Sequence, residues 1–386
     1  MYELLVIGID ATNIYSGGGL THLVELISHV ESAILGKYRI VVFGSADTLA
    51  CIDDRPFLEK RTFTFLNRGL ISRVIWQFFC LSQLARDSGC NVLLIPGGIF
   101  FGNFSPVVAI SQNLLPFQLN ELLRYKLSLT LIRLLVLRLL QSRTFKNSDG
   151  LVFLTNYSRD QVLNVIGKTS AIVRVIPHGL NLRFKQVPKP QRLINTYDDV
   201  IPYRVLYVSI IDQYKHQWYV VDAIAALRLE GWPVVLDLVG PAYPPALNRL
   251  EKAIELHVDH HLWLRYFGNI PYKDLHTYYT QADLGLFASS CENMPNILLE
   301  TMASGLPIAC SNRGPMPEIL AGAGIYFDPE QPAEIAHALR KLISSPKLRF
   351  ELSQQSFQLA QQYVWERCAK ETFGFLESIA LQGAEG

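Results

Sequence analysis

The sequence predicts an α/β protein of two Rossmann-like, doubly wound domains facing a central cleft, and three observations carry that prediction. The chain has 386 residues, more than the roughly 250–300 at which a single hydrophobic core stops growing. Its apolar residues come as short continuous runs separated by segments of helical period, the pattern of parallel strands covered on both faces by helices. A polar stretch from 186 to 202, with Pro188, Pro190 and Pro202, divides two such series and reads as a linker.

The first series opens with an apolar run over 4–9, then Gly17-Gly18-Gly19, then the helical spacing Leu20, Leu23, Val24 and Ile27. Strand, glycine-rich turn and helix in that order begin a parallel sheet. Further strands are expected over 39–43, 91–95, 106–110, 150–155 and 173–176, with helices over 71–86 and 119–145. In the second series strands over 203–208, 234–239, 262–267, 284–288 and 307–310 alternate with helices over 216–229, 245–257, 272–281 and 295–304. Residues 332–378 read as helical. The expected domains are 1–185 and 200–360, with a terminal helix over 361–386 that crosses back to the first. No repeat of solenoid period is present.

Composition narrows the function classes. Hydrophobic residues are 49% and charged residues 18%, a balance that excludes a disordered chain. A net charge of +1 argues against nucleic acid as a partner. The six cysteines form no C-x-x-C pair and fit thiols of a reducing compartment. The uncharged stretch 88–120 is interrupted by Pro96, Gly97, Gly98, Gly102, Asn103 and Pro106, so it reads as strand–loop–strand and not as a membrane span. The start shows no signal peptide, and a cytoplasmic protein, soluble or peripheral at the inner face of the membrane, is expected. Gly17-Gly18-Gly19 lacks the G-x-G-x-x-G spacing of a nicotinamide dehydrogenase.

The most informative segment runs from Ser289 to Pro307. It follows an apolar strand, Asn293 is placed to cap a helix over 295–304, and Gly305 ends that helix. Glu292 then sits in the strand–helix loop and Glu300 about one and a half turns into the helix. The free N–H groups and positive dipole end of such a helix suit an anionic or hydroxyl-rich ligand. These residues resemble the retaining glycosyltransferases of family 4, which have the GT-B fold. The family carries E-x7-E followed by E-A-M-A-S-G-x-P; this chain reads E-N-M-P-N-I-L-L-E-T-M-A-S-G-L-P, departing at Thr301. The resemblance continues in Pro317-Glu318-Ile319, Gly268-Asn269-Ile270, Ile176-Pro177-His178-Gly179 and Tyr363-Val364-Trp365-Glu366.

The resemblance implies transfer of a sugar from a nucleotide-diphosphate-sugar to a glycan or lipid-linked oligosaccharide acceptor, in surface polysaccharide biosynthesis, with residues 1–185 as the acceptor-binding domain and 200–360 as the nucleotide-sugar-binding domain. Glu300 would bind the ribose, and Glu292 the donor sugar's hydroxyls, helped by the main chain around Asn293, Met294 and Pro295. Asn269 and Ile270 would complete the donor site. Gly17, Gly18, Gly19 and Lys215 would face the diphosphate. No metal and no other cofactor is implied. Glu292, Lys215 and Gln112 are the catalytic candidates.

Two positions depart from the family pattern. Ile210 stands where an arginine is expected, with Arg313 or His178 as candidate substitutes, and Gln112 replaces a histidine, so it can hydrogen-bond but not act as acid or base. These departures keep open a second reading, a catalytically weak or inactive nucleotide-sugar or glycan-binding partner of another transferase. A sugar-nucleotide epimerase is a third. The segment with Arg124, Lys126, Arg133, Arg138, Arg143 and Lys146 is either a basic face toward anionic lipid or a core helix with a charged solvent side. His257, His260, His261 and His276 read as surface residues.

Overall fold

The computed structural model describes residues 4–15, 17–30, 37–67 and 75–385; residues 71–74 of the helix expected over 71–86 lie outside them. The chain packs as two compact units. One comprises residues 1–119, 127–179 and 363–386, the other 120–126 and 180–362.

Among the described residues of the first unit, seven parallel strands form one sheet. They are β1 (Leu5–Asp10), β2 (Tyr38–Phe43), β3 (Leu58–Arg61), β4 (Val92–Ile95), β5 (Val107–Ile110), β6 (Gly150–Phe153) and β7 (Ile172–Val175), in the order β3-β2-β1-β4-β5-β6-β7. The second unit repeats the scheme with β8 (Tyr203–Val208), β9 (Val234–Val239), β10 (Leu264–Tyr266), β11 (Leu284–Phe287), β12 (Ile308–Ser311) and β13 (Ile325–Phe327), ordered β10-β9-β8-β11-β12-β13. In each sheet the winding reverses once, between β1 and β4 and between β8 and β11. The crevice at the carboxyl ends of such a pair is where open α/β sheets bind ligands.

Burial explains why the apolar runs are strands. Every residue of β4, β5, β6, β9, β11 and β12 is buried. The one carboxylate among them, Asp237, is met by a two-pronged hydrogen bond from Arg265 at 2.6 and 2.8 Å. The helix Trp365–Glu385 covers the first sheet: Phe375 lies against Gly150, where an added Cβ would sit 3.0 Å from its ring.

Two strands were not expected. β3 reads Leu-Glu-Lys-Arg, with no apolar alternation, because it is an edge strand held through Glu59, which pairs with Arg39 of β2 and with Arg61. β13 has three residues, too few to show a period. The helix expected over 119–145 is broken. Leu119–Leu123 is a separate short helix, Lys126 turns the chain with φ +49°, and Ser128 then caps Leu129–Asn147 by accepting the N–H of Leu131 at 3.2 Å. The strand expected over 262–267 shortens to β10 because His260–Trp263 forms a helical turn. Residues 180–185, expected in the first domain, belong to the second unit: Phe184 is buried beside Tyr272 and Tyr279, with ring centroids 5.4 and 5.6 Å away.

Gly240, at the end of β9, has φ +145°, and a Cβ there would lie 2.1 Å from the carbonyl oxygen of Ser209. Its N–H donates to Gly268 at 2.8 Å. Gly240→Ala is therefore expected to cost more than about 2 kcal/mol, read as a lowered urea midpoint for the second unit.

Candidate functional site

The loops leaving β8 and β11 are stitched to each other by the backbone. Ser290 N–H donates to the carbonyl of Tyr214 at 2.9 Å, and within the first of these loops the Tyr207 side-chain hydroxyl of β8 donates to the carbonyl of Lys215 at 2.7 Å. His216 follows in the left-handed region at φ +56° and starts the helix Gln217–Leu229. This places the Lys215 ammonium against the Glu292 carboxylate in a short ion pair. The lysine side chain is only 7% exposed and the glutamate 15%. Lys215 is thus no solvated surface lysine, and its ammonium also lies 5.0 and 5.5 Å from the ring centroids of Tyr214 and Phe287. Charges this far out of water need such partners.

Glu300 stands in the helix Asn296–Ala303 and is 3% exposed. It accepts hydrogen bonds from the hydroxyls of Tyr272 at 3.1 Å and Tyr279 at 3.2 Å. Burial pushes its pKa from 4.5 up to about 7, with both hydroxyls and the charge of Arg183 pulling the other way. The helix starts after Pro295, which holds the cap position, so Asn293 is not the N-cap that its residue type suggested. Asn293, Met294 and Pro295 are instead buried in the loop. Asn296 Oδ1 is buried with no hydrogen-bond partner among the described residues. After β10, Gly268 has φ +65°, Asn269 is exposed and Ile270 half-buried.

Residues 120–126 serve the second unit, which no motif in the sequence signals. Ser290 Oγ donates to Glu121 at 2.9 Å and lies 2.9 Å from Nε2 of His216. Arg124 bridges Glu121 at 2.7 Å and Glu330 at 3.0 and 2.6 Å, while the Tyr125 hydroxyl donates to Asp212 at 2.9 Å. Both loops that carry the ion pair are thereby held by side chains from a distant stretch. Burial, reinforced by the charge of Arg124, lowers the His216 pKa to about 3, so this imidazole is neutral and supplies no cation.

Ile210 is 37% exposed and brings no charge. Of its candidate substitutes, Arg313 is exposed and engaged with Asp328 at 2.6 Å. His178 belongs to the first unit, where burial and neighbouring His22 hold its pKa far below 6.5, so it carries no positive charge.

In the first unit, Gly17, Gly18 and Gly19 open the helix Gly17–Ser28 beyond β1, with Gly17 at φ +68°. A Cβ at position 19 would come 3.1 Å from Oε1 of Gln112. The Gln112 amide nitrogen lies 2.6 Å from Nδ1 of His22, whose pKa burial lowers to about 4. Among the described residues, no group of three His, Cys, Asp or Glu side chains could hold a metal ion, and no helix is long and apolar enough to cross a membrane.

Sucrose-phosphate synthase from Thermosynechococcus elongatus superposes with a TM-score of 0.75 over 98% of this chain and 100% of that one, at 16% identity. The HepE protein of Anabaena, in complex with UDP, gives 0.70 over 97% and 100%, at 15% identity. The two parallel-sheet units are the GT-B fold. Residues 199–358, which hold Lys215, Glu292 and Glu300, match the family model of glycosyl transferases group 1. The O-antigen chain mannosyltransferase B of Escherichia coli is 30% identical over 110 residues, 28% of this chain and 29% of that protein. The first curated relatives are matched over 29% to 62% of their lengths. The likeness of fold spans nearly the whole chain, whereas the family match is confined to residues 199–358.

Two outcomes test the site. Lys215→Met strands the Glu292 carboxylate and is expected to cost about 3 kcal/mol in urea unfolding, whereas Lys215→Met combined with Glu292→Leu recovers most of that loss. Glu300 binds its proton more tightly folded than unfolded, so raising the pH from about 4.5 through 7 lowers stability, by on the order of 3 kcal/mol at full ionisation. Glu300→Gln removes that slope. Its urea midpoint is expected to gain on the native protein's between pH 5 and pH 8.

Proposed function

We propose that the chain is a retaining, metal-independent hexosyltransferase that takes a nucleotide-diphosphate-sugar as donor and needs no cofactor. Its acceptor is a glycan or lipid-linked oligosaccharide, and its setting is surface polysaccharide biosynthesis in the cytoplasm. The observation that carries the reading is the Lys215–Glu292 pair on the loops that leave β8 and β11, with buried Glu300 in the helix that follows, inside the segment matched by the family model. The UDP complex of the Anabaena protein supports a nucleotide donor.

In this reading the ribose diol takes the Glu300 carboxylate. Lys215 turns from Glu292 to the diphosphate, and the released Glu292 accepts hydrogen bonds from the sugar hydroxyls. The bond from C1 to the diphosphate breaks while the acceptor oxygen bonds to C1 on the same face. The acceptor's hydroxyl proton passes to the leaving phosphate oxygen, so Gln112 has only to hydrogen-bond. Asn269, Ile270 and residues 293–295 complete the donor contacts of the second unit. Charge on the leaving group is met by preorganised protein donors.

Exposed, uncharged Ile210 favours the alternative, a nucleotide-sugar-binding partner without turnover, because lysine alone does not reproduce an arginine fork. Melting curves with UDP, GDP and ADP, followed by transfer assays with the matching sugar nucleotides, separate the two. One nucleotide is expected to raise the melting temperature, as an excess of about 100 Kd stabilises by roughly 2.7 kcal/mol, and Glu300→Gln is expected to cut turnover at least about a hundredfold. Full turnover in Glu300→Gln would overturn the proposal, and binding without transfer would establish the alternative.

A further inference from the structure

The first two strands of the second unit start level with each other, Tyr203 of β8 pairing in register with Val234 of β9. The segments that lead into them therefore lie side by side at the amino ends of the strands. A pocket of about 460 Å³ opens there, and Asn195, Tyr197, Asp199, Arg228, Trp232 and Pro233 are among the residues that line it. β8 has six residues, so about 20 Å of strand separates this pocket from the loops that carry Lys215 and Glu292 at the other end. It is a separate site of the same unit.

The lining mixes aromatic rings with charged and amide side chains. Of the five tryptophans, Trp76, Trp218, Trp263 and Trp365 are buried, while Trp232 is half-buried and lines the pocket. Its indole N–H donates to Glu230 at 3.0 Å, which occupies the polar edge and leaves the carbon surface of the ring to a ligand. The Tyr197 hydroxyl is likewise taken, by Asp283 at 3.0 Å. Asp199 is 80% exposed and pairs with Arg228 at 2.9 Å, and Asn195 is exposed. Carboxylate and amide acceptors thus stand beside guanidinium and amide donors around an aromatic ring.

That combination selects among ligand classes. Among the described lining residues an anion would meet Asp198, Asp199 and the already paired Arg228. An organic cation would have to displace Arg228 from Asp199. An apolar ligand would strip water from these charges without replacing its hydrogen bonds. A neutral polyhydroxylated ligand meets none of these penalties, because its hydroxyls both give and take hydrogen bonds and its ring C–H groups pack on the indole.

We infer that this pocket is a second, non-catalytic site that binds a neutral saccharide. Trp232 packs against the C–H face of one sugar ring, and Asn195, Asp199 and Arg228 exchange hydrogen bonds with its hydroxyls. The saccharide assignment rests on the pocket alone. That it gives a long glycan a second point of attachment, away from the reacting end, rests on the proposed transfer reaction.

The test uses the full chain with maltopentaose, α-1,6-mannopentaose and cellopentaose as neutral probes, beside tripolyphosphate and spermidine. Because the other four tryptophans are buried, acrylamide quenching of tryptophan fluorescence reports on Trp232. At least one pentasaccharide is expected to protect it, with a dissociation constant of about 1 mM or lower that calorimetry reproduces. By calorimetry Trp232→Leu should raise that constant at least about tenfold and Asp199→Ala about fivefold. Asp199→Ala changes an exposed side chain, so its urea midpoint should match that of the native protein. Absence of pentasaccharide binding, an unchanged constant in both variants, or equal protection by tripolyphosphate or spermidine overturns the inference. Failure of every nucleotide to shift the melting temperature, with a pentasaccharide still bound, would instead sink the transferase reading and leave this site standing.

Discussion

The second unit's site depends on one electrostatic constraint: the ammonium of Lys215 and the carboxylate of Glu292 are both largely out of water and answer each other. Neither charge is tolerable there alone, because the desolvation of an unpaired ion exceeds what packing returns. The two residues lie 77 positions apart on loops that leave adjacent parallel strands, β8 and β11. The backbone bond from Ser290 to Tyr214 keeps those loops in register, and the hydroxyl of Tyr207 on the Lys215 carbonyl holds the first of them.

The loops need support from beyond the sheet, and residues 120–126 provide it. Glu121, Arg124 and Tyr125 reach Ser290, Glu330 and Asp212, so three loops are tied through one short stretch. His216 sits inside this network as a neutral ring, which leaves Lys215 as the cation directed at the carboxylate. The basic residues of 119–146 thus divide by role. Arg124 is a structural tie in the second unit, while Arg133 lines a pocket of the first.

Glu292 and Glu300 are chemically distinct although they belong to one motif. Glu292 is compensated by a full positive charge. Glu300 has two tyrosine hydroxyls and the charge of Arg183 against its burial, and its pKa rises to about 7. One carboxylate faces a partner of opposite charge, while burial pushes the other up to about 7.

The sequence by itself determined the two α/β series, because strands buried on both faces must be continuous apolar runs, and it determined the pairing of Glu292 with Glu300 on one loop and helix. It could not show β3, whose polar residues satisfy one another at a sheet edge, or β13, which is too short to carry a period. The turn at Lys126, which sends 120–126 to one unit and 127–179 to the other, and the start of the helix at Asn296 rather than after Asn293 were likewise decided by tertiary packing. The same holds for the Lys215–Glu292 contact and the burial that moves Glu300. Each depends on which loops lie side by side at the strand ends, and local residue preference carries no information about that.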